Sequence, residues 1–287
     1  MVLIVDCILM LRLIRSTAIP VAVFLLLGSA CQTGDDTACG AGLSECHEVA
    51  GGRYLLREPA GWDGQSTLPM LVYFHPYGSS DTATRSKQWV ADELDEQGML
   101  GVFPNGIDNT WAHEGSPSKA RDEIAFLDAV LADVESRYSL SFAVATGFSQ
   151  GGSMAWDAAC YRGERFEAIF PIAGAFWEPL PETCPAGPVA LRHTHGLSDG
   201  MVPMEGRPIG NSHQGDVLSG MAVWRLVNGC AEEPDRTEAV GLSTCQIWSS
   251  CSSQEELSLC LHGGGHEIPT GWFSESLDWA RSRIDSN

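Results

Sequence analysis

Phe142-Ala143-Val144-Ala145-Thr146-Gly147-Phe148-Ser149-Gln150-Gly151-Gly152 passes from an apolar, strand-like run into a glycine-flanked serine and then into an apparent helix over 152–161. In that context Gly147-Phe148-Ser149-Gln150-Gly151 has the form of a nucleophile elbow, a tight strand-to-helix turn that lifts one hydroxyl out of a sheet. Glycines two positions either side of Ser149 remove side chains that would collide with neighbouring backbone. The helix that follows aims unpaired N–H groups at the place where negative charge would develop on a substrate oxygen.

Outward from this turn, short apolar runs alternate with amphipathic segments, the pattern of a largely parallel sheet covered by helices on both faces. Strands are predicted over 53–57, 70–75, 100–104, 143–147, 168–172, 189–195 and 257–262. Ile124, Leu127, Val130, Leu131, Val134 and Tyr138 recur at steps of three and four, so 122–138 is predicted as a helix with one stripe facing the sheet. Similar periodicity marks 216–227, with Gly229 placed to stop it, and 272–284. No internal repeat or low-complexity block is present. The expected fold class is α/β, of the α/β-hydrolase type.

A serine hydroxyl is a weak nucleophile at neutral pH and needs a base; imidazole, with an ordinary pKa near ~6.5, suits that role. In this fold the chain order is nucleophile, acid, histidine, so only His193, His195, His213, His262 and His266 lie late enough. His266 is chosen because it ends the loop Gly263-Gly264-Gly265-His266 directly after the last predicted strand; His262 reads as a strand-end residue. Asp199, in His195-Gly196-Leu197-Ser198-Asp199, is the acid of choice. Its rivals are Asp216, which opens a helix and reads as a cap, and Asp235, which lies in a charged loop. The second oxyanion donor is expected in Pro76-Tyr77-Gly78; proline has no N–H, so it must be Tyr77 or Gly78, working with Gln150.

With 287 residues, 44% hydrophobic and 19% charged, the chain can bury one sizeable core with little left for a second. A formal net charge of −20, with Lys87 and Lys119 the only lysines, disfavours nucleic acid and anionic membrane surfaces and favours neutral substrates. Arg12 and Arg15 precede an apolar run over 18–27 that ends in Gly28-Ser29-Ala30, so 1–30 reads as an export signal, too short and too interrupted by Pro20 for a membrane span. Asp6 breaks the stretch before Met10, which makes Met10 an alternative start. Leu27-Gly28-Ser29-Ala30-Cys31 resembles a lipoprotein cleavage box, with the leucine one position early, and makes Cys31 a candidate lipidation site. Removing Cys7 and lipidating Cys31 leaves Cys39, Cys46, Cys160, Cys184, Cys230, Cys245, Cys251 and Cys260, an even set suited to bridges in an oxidising compartment. No pair shows the close spacing of zinc ligands, so no metal and no cofactor are expected. The expected organisation is a signal over 1–30, an acidic tether over 31–48 and a catalytic domain over 49–287, in the cell envelope or outside it.

These ordered motifs resemble the polyhydroxybutyrate depolymerase and feruloyl esterase-like group of secreted α/β-hydrolases, over about 53–279. The likeness rests on 71–78, with its strand and His-Gly-type loop; on Glu96-Gln97-Gly98-Met99-Leu100-Gly101-Val102-Phe103-Pro104-Asn105-Gly106, which leads to Trp111; and on the helix over 122–138. It continues through the elbow to Met154, through Phe166-Glu167-Ala168-Ile169-Phe170-Pro171-Ile172-Ala173-Gly174, through His195-Gly196 with Asp199, Val202 and Pro203, and through Gly264-Gly265-His266. The resemblance implies hydrolysis of carboxylic esters through an acyl-enzyme, with feruloyl or acetyl esters of plant polysaccharide, or hydroxyalkanoate esters, as substrate classes. It implies Ser149, Asp199 and His266 as the triad and Trp111 as a pocket tryptophan; His113 reads as a second pocket residue beside it, and ordinary core burial is the alternative for Trp111. It also contributes to two of four expected pairings, Cys160 with Cys184 and Cys230 with Cys251; Cys245 with Cys260 and Cys39 with Cys46 complete the set, although spacing alone does not fix connectivity. Pro76 stands where the family usually has glycine, 267–270 lacks its usual aromatic after the histidine, and Met201 and Met204 flank Pro203. Two other classes remain open: a serine peptidase of the same fold, and a non-catalytic carbohydrate-binding lipoprotein.

Overall fold

A computed structural model describes residues 38, 39 and 45–284 of the chain. The proposed signal over 1–30, the alternative start at Met10, the lipidation candidate Cys31 and most of the tether lie outside the described residues.

Among the described residues, ten strands form one sheet: β1 Cys46–Val49, β2 Gly52–Arg57, β3 Leu68–Phe74, β4 Leu100–Pro104, β5 Leu140–Phe148, β6 Ala168–Ile172, β7 Leu191–Gly196, β10 Arg236–Val240, β11 Ser243–Trp248 and β12 Leu257–His262. Their order is β1-β2-β4-β3-β5-β6-β7-β12-β11-β10. The centre, from β4 through β12, is parallel, and the two edges are antiparallel hairpins. A separate two-stranded hairpin, β8 Arg207–Ile209 with β9 Ser212–Gln214, stands apart from the main sheet. The helices are α1 Asp81–Arg85, α2 Gln88–Gln97, α3 Glu123–Arg137, α4 Gln150–Arg162, α5 Val217–Asn228 and α6 Trp272–Ile284.

The period of two along the central strands divides the core into two layers. Met70, Val72 and Phe74 of β3 join Leu127 and Val130 of α3, Met154 of α4 and Trp224 of α5 on one face. Leu71 and Tyr73, between them in sequence, join Val90 and Leu94 of α2 and Phe273 and Leu277 of α6 on the other. The helix ends follow from their capping residues: Asp122 accepts from the N–H of Ile124 and Ala125, Asp216 accepts from that of Ser219, and Gly229 closes α5 in the left-handed region. The helix capped by Asp216 thus uses that carboxylate locally.

All seven predicted strands and all four predicted helices are present, with boundaries displaced by three residues at most. Helices α1 and α2 and strands β1, β8, β9, β10 and β11 were not predicted. Most present little apolar periodicity: β10 is exposed along nearly its whole length, and α2 buries only Val90, Ala91 and Leu94. The tether also ends earlier than 48. Cys46–Val49 is an edge strand, returned by a turn in which Ala50 and Gly51 take positive φ and tied to Cys39 by a disulfide. The other bridges join Cys160 to Cys184, Cys230 to Cys251 and Cys245 to Cys260.

Asn228, fully buried at the end of α5, pins that helix to the sheet: its amide donates to the carbonyls of Val189 (2.8 Å) and Glu255 (3.3 Å), and its carbonyl accepts from the Val189 N–H (3.3 Å). Asn228→Ala strands buried backbone groups and is expected to cost about 2–4 kcal/mol in equilibrium unfolding with the disulfides intact. A loss under about 0.5 kcal/mol would contradict this account of how α5 is held.

Candidate active site

Strand β5 lies in the middle of the sheet and delivers Ser149 at its C-terminal end, with φ 61° and ψ −125°, a backbone conformation that costs a residue bearing a Cβ about 1–3 kcal/mol. Contacts between backbones hold it there. A Cβ on Gly147 would stand 2.1 Å from the Gly151 carbonyl oxygen, and one on Gly151 would stand 2.0 Å from that of Phe74. A Cβ on Gly152 would meet the Ile172 carbonyl oxygen at 2.4 Å, and one on Gly174 would meet the Ser153 nitrogen at 2.3 Å. None of these neighbours can swing aside as a side chain could, so the glycines let the first turn of α4 pack directly on β3 and β6. The Ser149 N–H donates to the Ile172 carbonyl at 2.9 Å and completes the turn.

The loops after β7 and β12 are locked together beside it. Leu197 N–H donates to the His262 carbonyl (2.9 Å) and Ser198 N–H to that of Gly264 (3.0 Å), while a Cβ on Gly196 would lie 2.1 Å from the Gly265 carbonyl oxygen. These loops bring together the three side chains that sequence reading selected. His266 Nε2 lies 2.8 Å from Ser149 Oγ, and His266 Nδ1 lies 2.7 Å from Asp199 Oδ2. With Nδ1–H donating to the carboxylate, Nε2 is free to accept the serine proton. His262 is buried instead at the strand end, its Nδ1 accepting from Gly264 N–H, and Asp235 accepts from Ser249 and Ser250 N–H groups in its own surface loop.

Burial alone pushes the Asp199 carboxyl upward, but the hydrogen bond from His266 and those from the Val202 and Met201 N–H groups (2.8 Å each) outweigh it and hold the group below the usual carboxylate range. Behind it runs a directional chain that sequence reading missed. His195 Nε2 lies 2.7 Å from the Val202 carbonyl and must donate, so its Nδ1 accepts from His193 Nε2 (3.0 Å), and His193 Nδ1 accepts from Trp156 Nε1–H (3.1 Å). Burial pushes the pKa of both imidazoles down, as this neutral arrangement requires. The chain anchors the acid loop to α4. Its one sequence signal was two histidines on the same face of a buried strand.

Of the two oxyanion candidates in the loop after β3, Gly78 is excluded, since its N–H donates to the Asn109 carbonyl at 2.9 Å. The N–H groups of Tyr77 and Gln150 have no partner among the described residues. The Gln150 side chain ties the turn to the 106–111 loop: Nε2 donates to Thr110 Oγ1 (2.8 Å) and, more weakly, to the Trp111 carbonyl (3.3 Å). The same loop supplies the Asn109 carbonyl that fixes Gly78, so one segment holds both the 76–78 loop and the turn at Gln150.

Trp111 and His113 do not line the cleft. Trp111 is 1% exposed, donates from Nε1 to the His75 carbonyl (2.8 Å) and packs on the His75 ring, while His113, also buried, holds Asp157 at 2.7 Å. They support the loop from beneath. The cleft at Ser149, about 540 Å³, is walled by Trp177, Met201, Val202 and Ile209, with Tyr77, Thr110, Ser118, Gln150, Arg207 and Gln214 as its polar groups. A larger hollow of about 850 Å³, between Arg57, Trp62 and Tyr138, contains none of the three converging groups and offers no nucleophile–base pair. No cluster able to hold a metal ion, and no helix long and apolar enough to cross a membrane, occurs among the described residues.

No family model matches the chain. It is 28% identical over 230 residues to a probable feruloyl esterase C of Aspergillus terreus, covering 76% of this chain and 77% of that protein. It is 28% identical over 232 residues to the feruloyl esterase C of Emericella nidulans, covering 77% and 78%. To a probable feruloyl esterase C of Aspergillus niger it is 29% identical over 169 residues, and there the likeness spans only 59% of that protein's length. Among solved structures, the acetyl xylan esterase from Aspergillus awamori superposes with a TM-score of 0.64 at 15% identity, covering 80% of this chain and 93% of that one. The phospholipase/carboxylesterase from Dyadobacter fermentans superposes with a TM-score of 0.53 at 15% identity, covering 80% and 95%. The fold is that of the α/β-hydrolases.

Because its folded pKa is depressed, Asp199 contributes stability that is present above its unfolded value, near ~3.9, and is lost as pH falls through the folded value. The Tm gap between the wild type and Asp199→Asn is therefore expected to be widest near neutrality and to shrink below about pH 4. A gap constant from pH 7 to pH 3 would contradict an ionised, hydrogen-bonded Asp199.

Proposed function

We propose that the chain is an exported serine carboxylic ester hydrolase that acts through an acyl-enzyme formed on Ser149. The observation that carries this reading is the hydrogen-bonded line from Ser149 Oγ through the His266 ring to Asp199, at 2.8 and 2.7 Å, on a backbone turn that exposes the hydroxyl.

Ser149 Oγ attacks the ester carbonyl carbon as its proton passes to His266 Nε2, and Asp199 holds the resulting imidazolium. The carbonyl oxygen becomes an oxyanion between the N–H groups of Tyr77 and Gln150, each such donor being typically worth about 3 kcal/mol in the transition state. Gln150 adds the position of the first helical turn of α4, whose dipole favours the same negative charge. Collapse of this adduct breaks the bond to the alcohol, which leaves with the proton from His266. Water, giving its proton to His266, then attacks the acyl carbonyl; the acid departs and Ser149 regains its hydrogen.

Feruloyl or acetyl esters of plant polysaccharide, or hydroxyalkanoate esters, are the substrate classes we infer. Support comes from the feruloyl esterase relatives and from the wall of Trp177, Ile209, Met201 and Val202, an apolar surface that suits the planar ring of an aromatic acid. Export, with Cys31 as a lipid anchor, is supported by the apolar run before Cys31 and by the four disulfides among the described residues, bonds that persist in oxidising compartments.

Ser149→Ala is expected to abolish hydrolysis of p-nitrophenyl acetate and methyl ferulate while leaving Tm nearly unchanged, because the hydroxyl fills no packing role. Substantial turnover in that variant would overturn the assignment. Cleavage of peptides in place of esters by the wild type would move the protein to the peptidases.

A further inference from the structure

Among the described residues, Arg207 is the one charged group lining the cleft that contains Ser149. The chain carries 37 acidic residues, yet among the described residues no carboxylate lines the cleft. Elsewhere its arginines are mostly paired with carboxylates, as Arg53 is with Asp81 and Arg162 with Asp128. Arg207 makes no ion pair among the described residues. Its Nε donates to Gln214 Oε1 at 3.1 Å, and among the described residues neither terminal guanidinium nitrogen has a partner.

This side chain is held in place by its surroundings. Arg207 on β8 sits opposite Gln214 on β9, and Gln214 is bridged in turn to the backbone of Trp177, the aromatic wall of the same cleft. At the hairpin's base, Gly215 N–H donates to the Phe176 carbonyl at 2.8 Å, and a Cβ on Gly206 would stand 2.2 Å from the Gln214 carbonyl oxygen. The hydrogen bond at Nε orients the planar fork, so the two free nitrogens are presented as parallel donors, the geometry that matches a carboxylate.

We propose that Arg207, oriented by Gln214, is a recognition site for a carboxylate on the substrate, so that the preferred esters carry a negative charge away from the bond that is cleaved. The proposal rests on the ester hydrolase reading and narrows it. It departs from the expectation set by net charge alone. The −20 of the whole chain repels anions at long range, but at physiological salt that field is screened beyond ~8 Å, whereas a guanidinium in contact with its ligand is not. The carboxylate can belong to the acyl group, as in a half-ester of a dicarboxylic acid or the free end of a hydroxyalkanoate oligomer. It can also belong to the alcohol, as in a uronic acid unit of a polysaccharide.

Matched ester pairs separate these sources. For the acyl side, mono-p-nitrophenyl glutarate is compared with p-nitrophenyl valerate; for the alcohol side, acetylated methyl glucuronoside with acetylated methyl glucoside. In at least one pair, the wild type is expected to favour the anionic ester, and Arg207→Gln to lower that preference by about 10- to 100-fold through KM, with Arg207→Lys restoring part of it. The pair that responds identifies the side. Equal effects on anionic and neutral esters in both pairs would overturn the proposal. Calorimetric titration of Ser149→Ala, with and without Arg207→Gln, using monoethyl glutarate, diethyl glutarate and the two acetylated glycosides, needs no turnover. Arg207-dependent binding of an anionic member sustains the carboxylate site even if no ester is cleaved, and its absence removes the site even if esters are cleaved.

Discussion

Everything at the site follows from one constraint: two carbonyl oxygens, of Phe74 and Ile172, lie so close to the start of α4 that only glycine fits at 151 and 152. That closeness forces the chain through the positive φ of Ser149 and sets the hydroxyl above the C-terminal edge of the sheet. It leaves the Gln150 N–H with no partner among the described residues. The same edge receives the acid and histidine loops, themselves pressed together where Gly196 meets the Gly265 carbonyl. Local strain at one residue is thus sustained by tight backbone contacts between elements far apart in sequence, the usual circumstance in which such strain persists.

The electrostatics extend this order in two directions. Toward the interior, Asp199 is fixed by two backbone N–H groups and His266, while the Trp156–His193–His195 chain secures the Val202 carbonyl next to it. Every proton in that chain has a determined place, so the acid loop is positioned without a second charge near Asp199. Toward solvent, a strongly acidic chain presents a cleft in which, among the described residues, the polar lining is amide, hydroxyl and guanidinium groups and no carboxylate.

Much of this was legible because it is local. Gly147 to Gly152, the helix stripe over 122–138, and Gly264-Gly265-His266 each announce their geometry within a few residues, and the parallel strands announce themselves as short apolar runs. What was not legible depends on partners distant in sequence. Whether Tyr77 or Gly78 keeps its N–H free is decided by the Asn109 carbonyl. Trp111 is a tryptophan beside the site in sequence, yet the His75 carbonyl and ring draw it into the core, while Trp177, from the stretch after β6, provides the wall. The hairpin bearing Arg207 has strands of three residues, too short for alternation to register.

The central claim is that Ser149 becomes acylated. Mixing excess p-nitrophenyl acetate with the protein, quenching in acid within the first turnovers and mapping peptides by mass spectrometry measures this directly. The account predicts one acetyl group per chain, on the peptide containing Ser149, with a matching initial release of p-nitrophenol if deacylation is slower than acylation. Acetylation at another residue, or continued ester hydrolysis with Ser149 blocked by a fluorophosphonate, would contradict it.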